Sequence, residues 1–236
     1  LPPVEARRII GRVTTDRVLV ELSHVIEDGI VTYPGLPGPV IGDHLSWDDS
    51  HDRYAPGTEF RIGRIEMVAN TGTYLDTPAH RFRDGFDLSG LPLRSVADLP
   101  GVVVDAPGRS VDIDSFEDVD VEGRAVLLRT GWDAHWATDR YGDPDHPFLT
   151  GAAARHLAEA GAALVGIDSV NVDDTAPASV GARPAHTELL GRRIPVLEHL
   201  CGLDQLHGEP FRLFAVPPMI RGLATFPVRA FAIVGG

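Results

Sequence analysis

The sequence predicts a mixed α/β fold, and three observations carry that reading. Apolar runs at 99–105, 125–130 and 162–167 have the length and β-branched content of buried strands. A helical stretch, 150–160, lies between the last two, with Thr150 as N-cap and Gly161 at the stop. Strand, helix, strand with a short exit loop is a crossover unit of a mixed sheet. At 236 residues the chain suits one domain spanning 1–236.

Taken in order, Pro2 to Arg12 carries a weak apolar stripe and reads as a short helix or a frayed terminus. Arg17 to Leu22 is a first strand. Gly and Pro are dense from Gly35 to Gly42, which predicts loop. Asp43 to Gly57 is polar, aromatic and irregular. It reads as a substrate-covering loop or an ordinary solvated one. Thr58 to Val68 alternates with the period of a strand. Arg81 to Gly90 is rich in turns. The six carboxylates within 111–122 make a solvated face. Ala185 to Arg192 is a short helix, and Ile194 to Leu197 a strand that delivers Glu198. Phe211 to Val216 and Val228 to Val234 close the sheet.

Composition excludes several functions. The net charge of −13 argues against nucleic acid and against an anionic membrane surface. The longest apolar runs are too short to span a bilayer, and with no leader pattern at the start the expected location is cytoplasmic. Cys201 is the one cysteine, so an intrachain disulfide and a thiolate cluster are excluded; a small buried apolar residue is the plain reading. All 21 basic residues are arginine, which excludes a lysine Schiff base and a P-loop lysine. G-x-S-x-G, H-E-x-x-H and G-x-G-x-x-G are absent.

The stretch Asn70-Thr71-Gly72-Thr73-Tyr74-Leu75-Asp76-Thr77-Pro78-Ala79-His80 concentrates the chemistry. Gly72 and Pro78 argue against a helix. In extended chain, Asn70, Tyr74, Asp76 and His80 share parity and face one side, as a site wall would. Further polar groups collect at strand ends: Asp168, Ser169, Asn171, Asp173 and Asp174 after the strand at 162–167, and Glu198 later. Asp168 could equally be a loop cap.

The stretch resembles the signature H-x-G-T-H-x-D-x-P-x-H of the cyclase family of metal-dependent hydrolases, which includes kynurenine formamidases and isatin hydrolases. Gly72, Thr73, Asp76, Pro78 and His80 match it. Asn70 and Tyr74 stand where the family has its first two histidines, both metal ligands. Leu22-Ser23-His24 with Tyr33-Pro34-Gly35, Leu128 to Trp132, and His186 with Glu198 extend the resemblance from about Glu21 to the C-terminus. It implies a single mixed-sheet domain of the swivelling β/β/α kind, assembled as a homodimer or homotetramer and acting on a small-molecule substrate.

The resemblance implies catalytic roles for His80, Asp76, His186 and Glu198, and the Tyr74 hydroxyl joins them as an acid/base group in its own right. Asn70, Trp132, Ser169 and His24 are the expected substrate-binding residues. Two enzyme readings follow. In one, Asp76, His186 and Glu198 hold one divalent metal, with manganese or magnesium favoured over zinc by the two carboxylates, and His80 is the base. In the other there is no metal, and the same cluster with the Tyr74 hydroxyl does acid/base chemistry such as ring closure, ring opening or elimination. The metal-free reading is preferred, because two ligands lost from one ion indicate a changed mechanism. A divalent-metal amidohydrolase of arylformamidase type is the alternative, and a non-catalytic small-molecule binder the third reading. His44, His51, His135, His146, His156, His199 and His207 read as structural.

Overall fold

The computed structural model describes residues 17–206 and 208–235; the helix expected within 2–12 and His207 lie outside them. Among the described residues there are thirteen strands and three α-helices: β1 Val18–Glu21, β2 Val40–Leu45, α1 Trp47–His51, β3 Ile62–Glu66, β4 Tyr74–Asp76, β5 Leu99–Asp105, β6 Ser110–Val111, β7 Ala125–Arg129, β8 Phe148–Leu149, α2 Gly151–Glu159, β9 Leu164–Ile167, α3 Pro184–Gly191, β10 Val196–Glu198, β11 Phe211–Phe214, β12 Thr225–Pro227 and β13 Phe231–Val234. Nine of them make one mixed sheet in the order β1-β13-β11-β5-β7-β9-β10-β4-β12. The central strands β5, β7, β9 and β10 run parallel. Antiparallel strands complete the sheet on both flanks. The expected α/β class is therefore observed.

Strand alternation distributes the core to both faces of the sheet. From β7, Val126 and Leu128 face α2 and α3, where they meet Ala153, Leu157, Ala185 and Leu189. Ala125 and Leu127 face the other way, toward Leu75, Leu197, Phe211 and Leu213. Each fully buried Leu contributes about 1.5–3 kcal/mol of transfer free energy. Helix α2 begins where its cap is: the Thr150 hydroxyl accepts from the Ala153 N–H at 3.2 Å. It stops before Gly161, at φ 84°.

Several boundaries differ from the sequence reading for local reasons. The strand expected over 58–68 narrows to β3, and its partner β2 begins inside the expected Gly/Pro loop. The two form a separate ribbon with an irregularity between Asp43 and Leu45. The expected loop 43–57 holds the one-turn α1, because Ser46 caps it by accepting from the Asp49 N–H. Strand β12 was not anticipated. It is three residues ending in Pro227, which an outer strand tolerates since it has a free hydrogen-bonding side. The signature stretch is extended only over β4, and Pro78–His80 then turns as a 3₁₀ helix. The shared parity therefore ends at Asp76. Among the described residues no helix is long and apolar enough to cross a membrane.

Candidate active site

Strand β4 sits between β10 and β12, and sheet register assembles the site. Tyr74 pairs with Glu198 on one side and Pro227 on the other; Asp76 pairs with Val196 and Thr225. Residues opposite one another share a face, so Tyr74, Asp76, Glu198 and Thr225 converge. The N-terminal turn of α3 brings His186 onto the same face. The 3₁₀ turn then folds His80 back over Asp76.

Asp76 is fully buried. The Thr225 hydroxyl donates a short hydrogen bond to its Oδ1. The same hydroxyl lies 3.0 Å from His80 Nδ1. An ionised carboxylate only accepts, so Thr225 gives its one proton to Asp76 and receives the His80 Nδ1–H. That leaves the lone pair of His80 on Nε2. A parallel arrangement holds His186, whose Nδ1–H donates to Asp173 Oδ2 at 2.6 Å. His186 Nε2 is 3.6 Å from Asp76 Oδ2 and 3.7 Å from Glu198 Oε1. Both separations exceed a hydrogen bond. Asp76 Oδ2 and His186 Nε2 are buried without a partner. One ligand atom from each of Asp76, His80 and His186 falls within a 4.8 Å cluster.

The electrostatics follow from crowding. Burial alone would lower the His186 pKa, but its hydrogen bond to Asp173 and the nearby Asp76 and Glu198 carboxylates carry it up to about 10. Burial would raise Asp76, yet the His186 and His80 imidazoles hold it below the usual carboxylate value. Burial raises Glu198 to about 7, with the Asp76 charge adding to it and His186 opposing. Tyr74 is pushed well above its ordinary value by burial and by Glu198 and Asp76, so its phenol stays protonated. The hydroxyl is shared between Asn70 and Glu198. Solvent meets this cluster at His80, whose side chain is 35% exposed against 5% or less for Asp76, His186 and Glu198.

The expected residues divide accordingly. Asp76, His80, Tyr74, His186, Glu198 and Asn70 come together. His24 lies on the signature segment's other side: its N–H donates to Thr73 Oγ1 at 3.0 Å and its ring stacks on Trp136 with centroids 3.9 Å apart. Trp132 is 7% exposed and spends its indole N–H on the Tyr141 carbonyl at 2.9 Å. It packs with Tyr141 and Val170, apart from Asp76. Ser169 is fully buried against His146, at 3.2 Å. Asp168 proves to be a loop clip, accepting from Thr130 and Gly131. It borders a surface cleft of about 590 Å³ with Asp105, Arg129 and Asp133, which does not include Asp76 or His186.

Three groups take their place at the site through contacts that the sequence does not show. Thr225 and Asp173 act through their contacts with Asp76 and His186. His199 is fully buried in the left-handed region at φ 58°, its Nδ1 2.8 Å from the Tyr141 hydroxyl and its Nε2 without a partner. Its ring centroid is 4.9 Å from that of Tyr74. A left-handed non-glycine residue directly after Glu198 had no signal in composition or period; strain of that kind gathers at functional sites.

Known proteins match both the sequence and the fold. Kynurenine formamidase of Bacillus cytotoxicus is 29% identical over 220 residues, covering 89% of this chain and 95% of its own. That of Bacillus mycoides is 28% identical over the same extent. Isatin hydrolase A from Labrenzia aggregata, solved with benzyl benzoate, superposes with a TM-score of 0.80 at 24% identity, covering 93% of this chain and 94% of that one. Isatin hydrolase A from Ralstonia solanacearum gives 0.79 at 23%, covering 93% and 92%. At these identities the solved structures establish the fold. The family model described as "Putative cyclase" matches residues 20–174. That match spans more than half of the chain and includes the signature stretch, so the chain belongs to the cyclase family.

Proposed function

We propose that the protein is a hydrolase of the cyclase family that opens an amide or related acyl bond in a small carbonyl compound, at an altered site for one divalent metal. One observation carries this: Asp76 Oδ2 and His186 Nε2 are buried, 3.6 Å apart, and make no hydrogen bond. Burying such groups unpaired is costly, and a cation between them removes the cost. Asp76, His80 and His186 would hold it. Two imidazoles and a carboxylate suit zinc or manganese better than magnesium. Glu198 is adjacent but gives Oε1 to the Val172 N–H at 2.7 Å. That contact favours His80 as third ligand over the Asp76, His186 and Glu198 set expected from sequence.

When bound, such an ion supplies a Lewis acid that polarises an acyl oxygen and makes water nucleophilic near neutral pH. The chain supplies the rest. Glu198, raised to about 7 by burial, is poised to accept a proton from attacking water and pass it to the leaving group. The Tyr74 hydroxyl stays protonated and donates to negative charge developing beside Glu198. The His24 and Trp136 rings offer a flat apolar wall next to the signature segment. The names of the relatives point to an aryl formamide or a cyclic acyl compound such as isatin as the first substrates to try.

A metal-free acid/base reading draws on a different observation. Tyr74 lies directly across the strand pair from Glu198, a protonated phenol beside a carboxyl raised to about 7. Elemental analysis of the purified protein, with turnover of aryl formamides and isatin before and after chelation, separates the two. About one ion per chain and activity lost on chelation supports the metal site. Chelator-resistant turnover without an ion transfers the function to Tyr74 and Glu198. Assembly into a homodimer or homotetramer belongs to the same reading. The β2–β3 ribbon leaves Ile41, Ile62 and Ile65 41–50% exposed, and a two-stranded ribbon is marginal unless something packs on it.

A further inference from the structure

We infer that Asp173 is a positioning residue of this site: it fixes the tautomer and orientation of His186, so that Nε2 presents a lone pair toward Asp76. The inference rests on the metal-site reading above and extends it to a residue outside the ligand set.

Three donors converge on the Asp173 carboxylate. The Ala185 N–H reaches Oδ1 at 2.6 Å. The His186 N–H and Nδ1–H reach Oδ2 at 3.1 and 2.6 Å. The side chain is fully buried. Helix α3 has no side-chain cap of its own at Arg183, so Asp173, arriving from the preceding loop, caps its first turn and the histidine within that turn together. The loop is itself fixed to the site. The Asp173 N–H donates to Asn171 Oδ1 at 2.9 Å, and the Val172 N–H donates to Glu198.

The chemistry follows from the acceptor-only character of a carboxylate. Facing Asp173, Nδ1 must carry the proton, and Nε2 is left to bind. A neutral imidazole without that partner could hold its proton on either nitrogen, and a proton on Nε2 would block the ion. A carboxylate behind a ligating histidine also raises its basicity, and losing such a partner typically weakens metal affinity by about 10–100-fold.

Asp173→Asn tests this, because it keeps the volume but exchanges one acceptor for an NH₂ donor. Whichever way the amide turns, that NH₂ faces the Ala185 N–H or the two His186 donors. Zinc titration by calorimetry is expected to show binding about 10–100-fold weaker than wild type. Asp174→Asn, which disturbs the Arg109 pair and the Ala176 N–H next door, is expected to retain wild-type zinc affinity. Long-range ¹H–¹⁵N correlations on the zinc-loaded wild type should place the His186 proton on Nδ1. A residue that only capped α3 would leave that signature and the zinc affinity unmoved when changed to Asn. Equal affinity for wild type and Asp173→Asn overturns the inference while leaving the metal site standing. No zinc binding by the wild type overturns both. Should Asp173→Asn fail to fold, the wild-type spectrum still decides, since a proton on Nε2 refutes the assignment.

Discussion

Thr225→Val is the sharpest perturbation of the site, because it removes one oxygen and almost no volume. The Thr225 hydroxyl donates to Asp76 Oδ1 and accepts from His80 Nδ1. Thr225 is 3% exposed and Asp76 fully buried, so water does not replace the bond to Asp76, while His80, 35% exposed, is rehydrated in part. A hydrogen bond to an ionised group contributes about 1.5–3 kcal/mol net, and a neutral one about 0.5–1.5. The variant should therefore lose about 2–4 kcal/mol of stability, with Asp76 left short of a donor and the His80 ring free to turn. Urea unfolding followed by fluorescence and circular dichroism measures it. With a slope near 3 kcal/mol/M the midpoint should fall by about 1 M. Zinc affinity should fall in the same variant, since two of the three proposed ligands lose a common anchor. A stability change below about 0.5 kcal/mol, within the range of ordinary surface substitutions, would refute the claim that this relay orders Asp76 and His80.

Three further outcomes follow. Tyr74→Phe removes the hydroxyl shared by Asn70 and Glu198, and turnover on the responsive substrate should drop about 10²-fold with the fold intact; unchanged turnover would reduce Tyr74 to packing. His24 titrates at about 4 in the folded chain, mainly because burial disfavours its charge, against 6.5 when unfolded. Between those values the unfolded chain binds the extra proton, so this stabilisation is full above pH 6.5 and is lost as pH falls toward 4. Discounted for partial exposure, that is about 1–2 kcal/mol, and His24→Gln should flatten the decline in urea midpoint between pH 7.5 and 4.5 by that amount. Gly101→Ala should destabilise by about 1–3 kcal/mol in thermal unfolding, because the new Cβ would lie 2.0 Å from the Phe211 ring.

What could be read from sequence was what local chemistry decides. Strand β5 has the limits expected for it, Leu99–Asp105, with Leu99 and Val104 buried and the rest of the run half-buried up to the exposed Asp105. Thr150 and Gly161 delimit α2 by capping alone. The mixed-sheet class followed from these, and the signature stretch located Asp76 and His80. What escaped was decided by register and by distant contacts. Thr225 looks ordinary until β12 pairs with β4 and places it opposite Asp76. Asp173 could be seen to lie at a strand end, but nothing in the sequence says that its acceptors face the first turn of α3. Shared parity is not what sets His80 beside Asp76. Pro78 starts a 3₁₀ turn, and the turn, not an extended chain, brings His80 back.

The departures at Asn70 and Tyr74 fit the fold because of where β4 lies. Tyr74 points into the packed face of the sheet, where its ring fills volume beside His199 and its hydroxyl finds Glu198. A phenol is therefore as well accommodated there as an imidazole, and the strand pays little for the exchange. The same cannot be said of Asp76, Asp173 and Glu198, three carboxylates buried around one imidazole. In the apo chain that group is balanced by protons, with His186 raised to about 10 and Glu198 to about 7. Even so, Asp76 Oδ2 and His186 Nε2 face one another at 3.6 Å without a hydrogen bond, which leaves the pair incompletely satisfied. Apolar residues of similar volume would cost less at every one of these positions. Around β4 and β10 the chain therefore departs from local rules. Local rules are broken in this way where a binding or catalytic task compensates the loss.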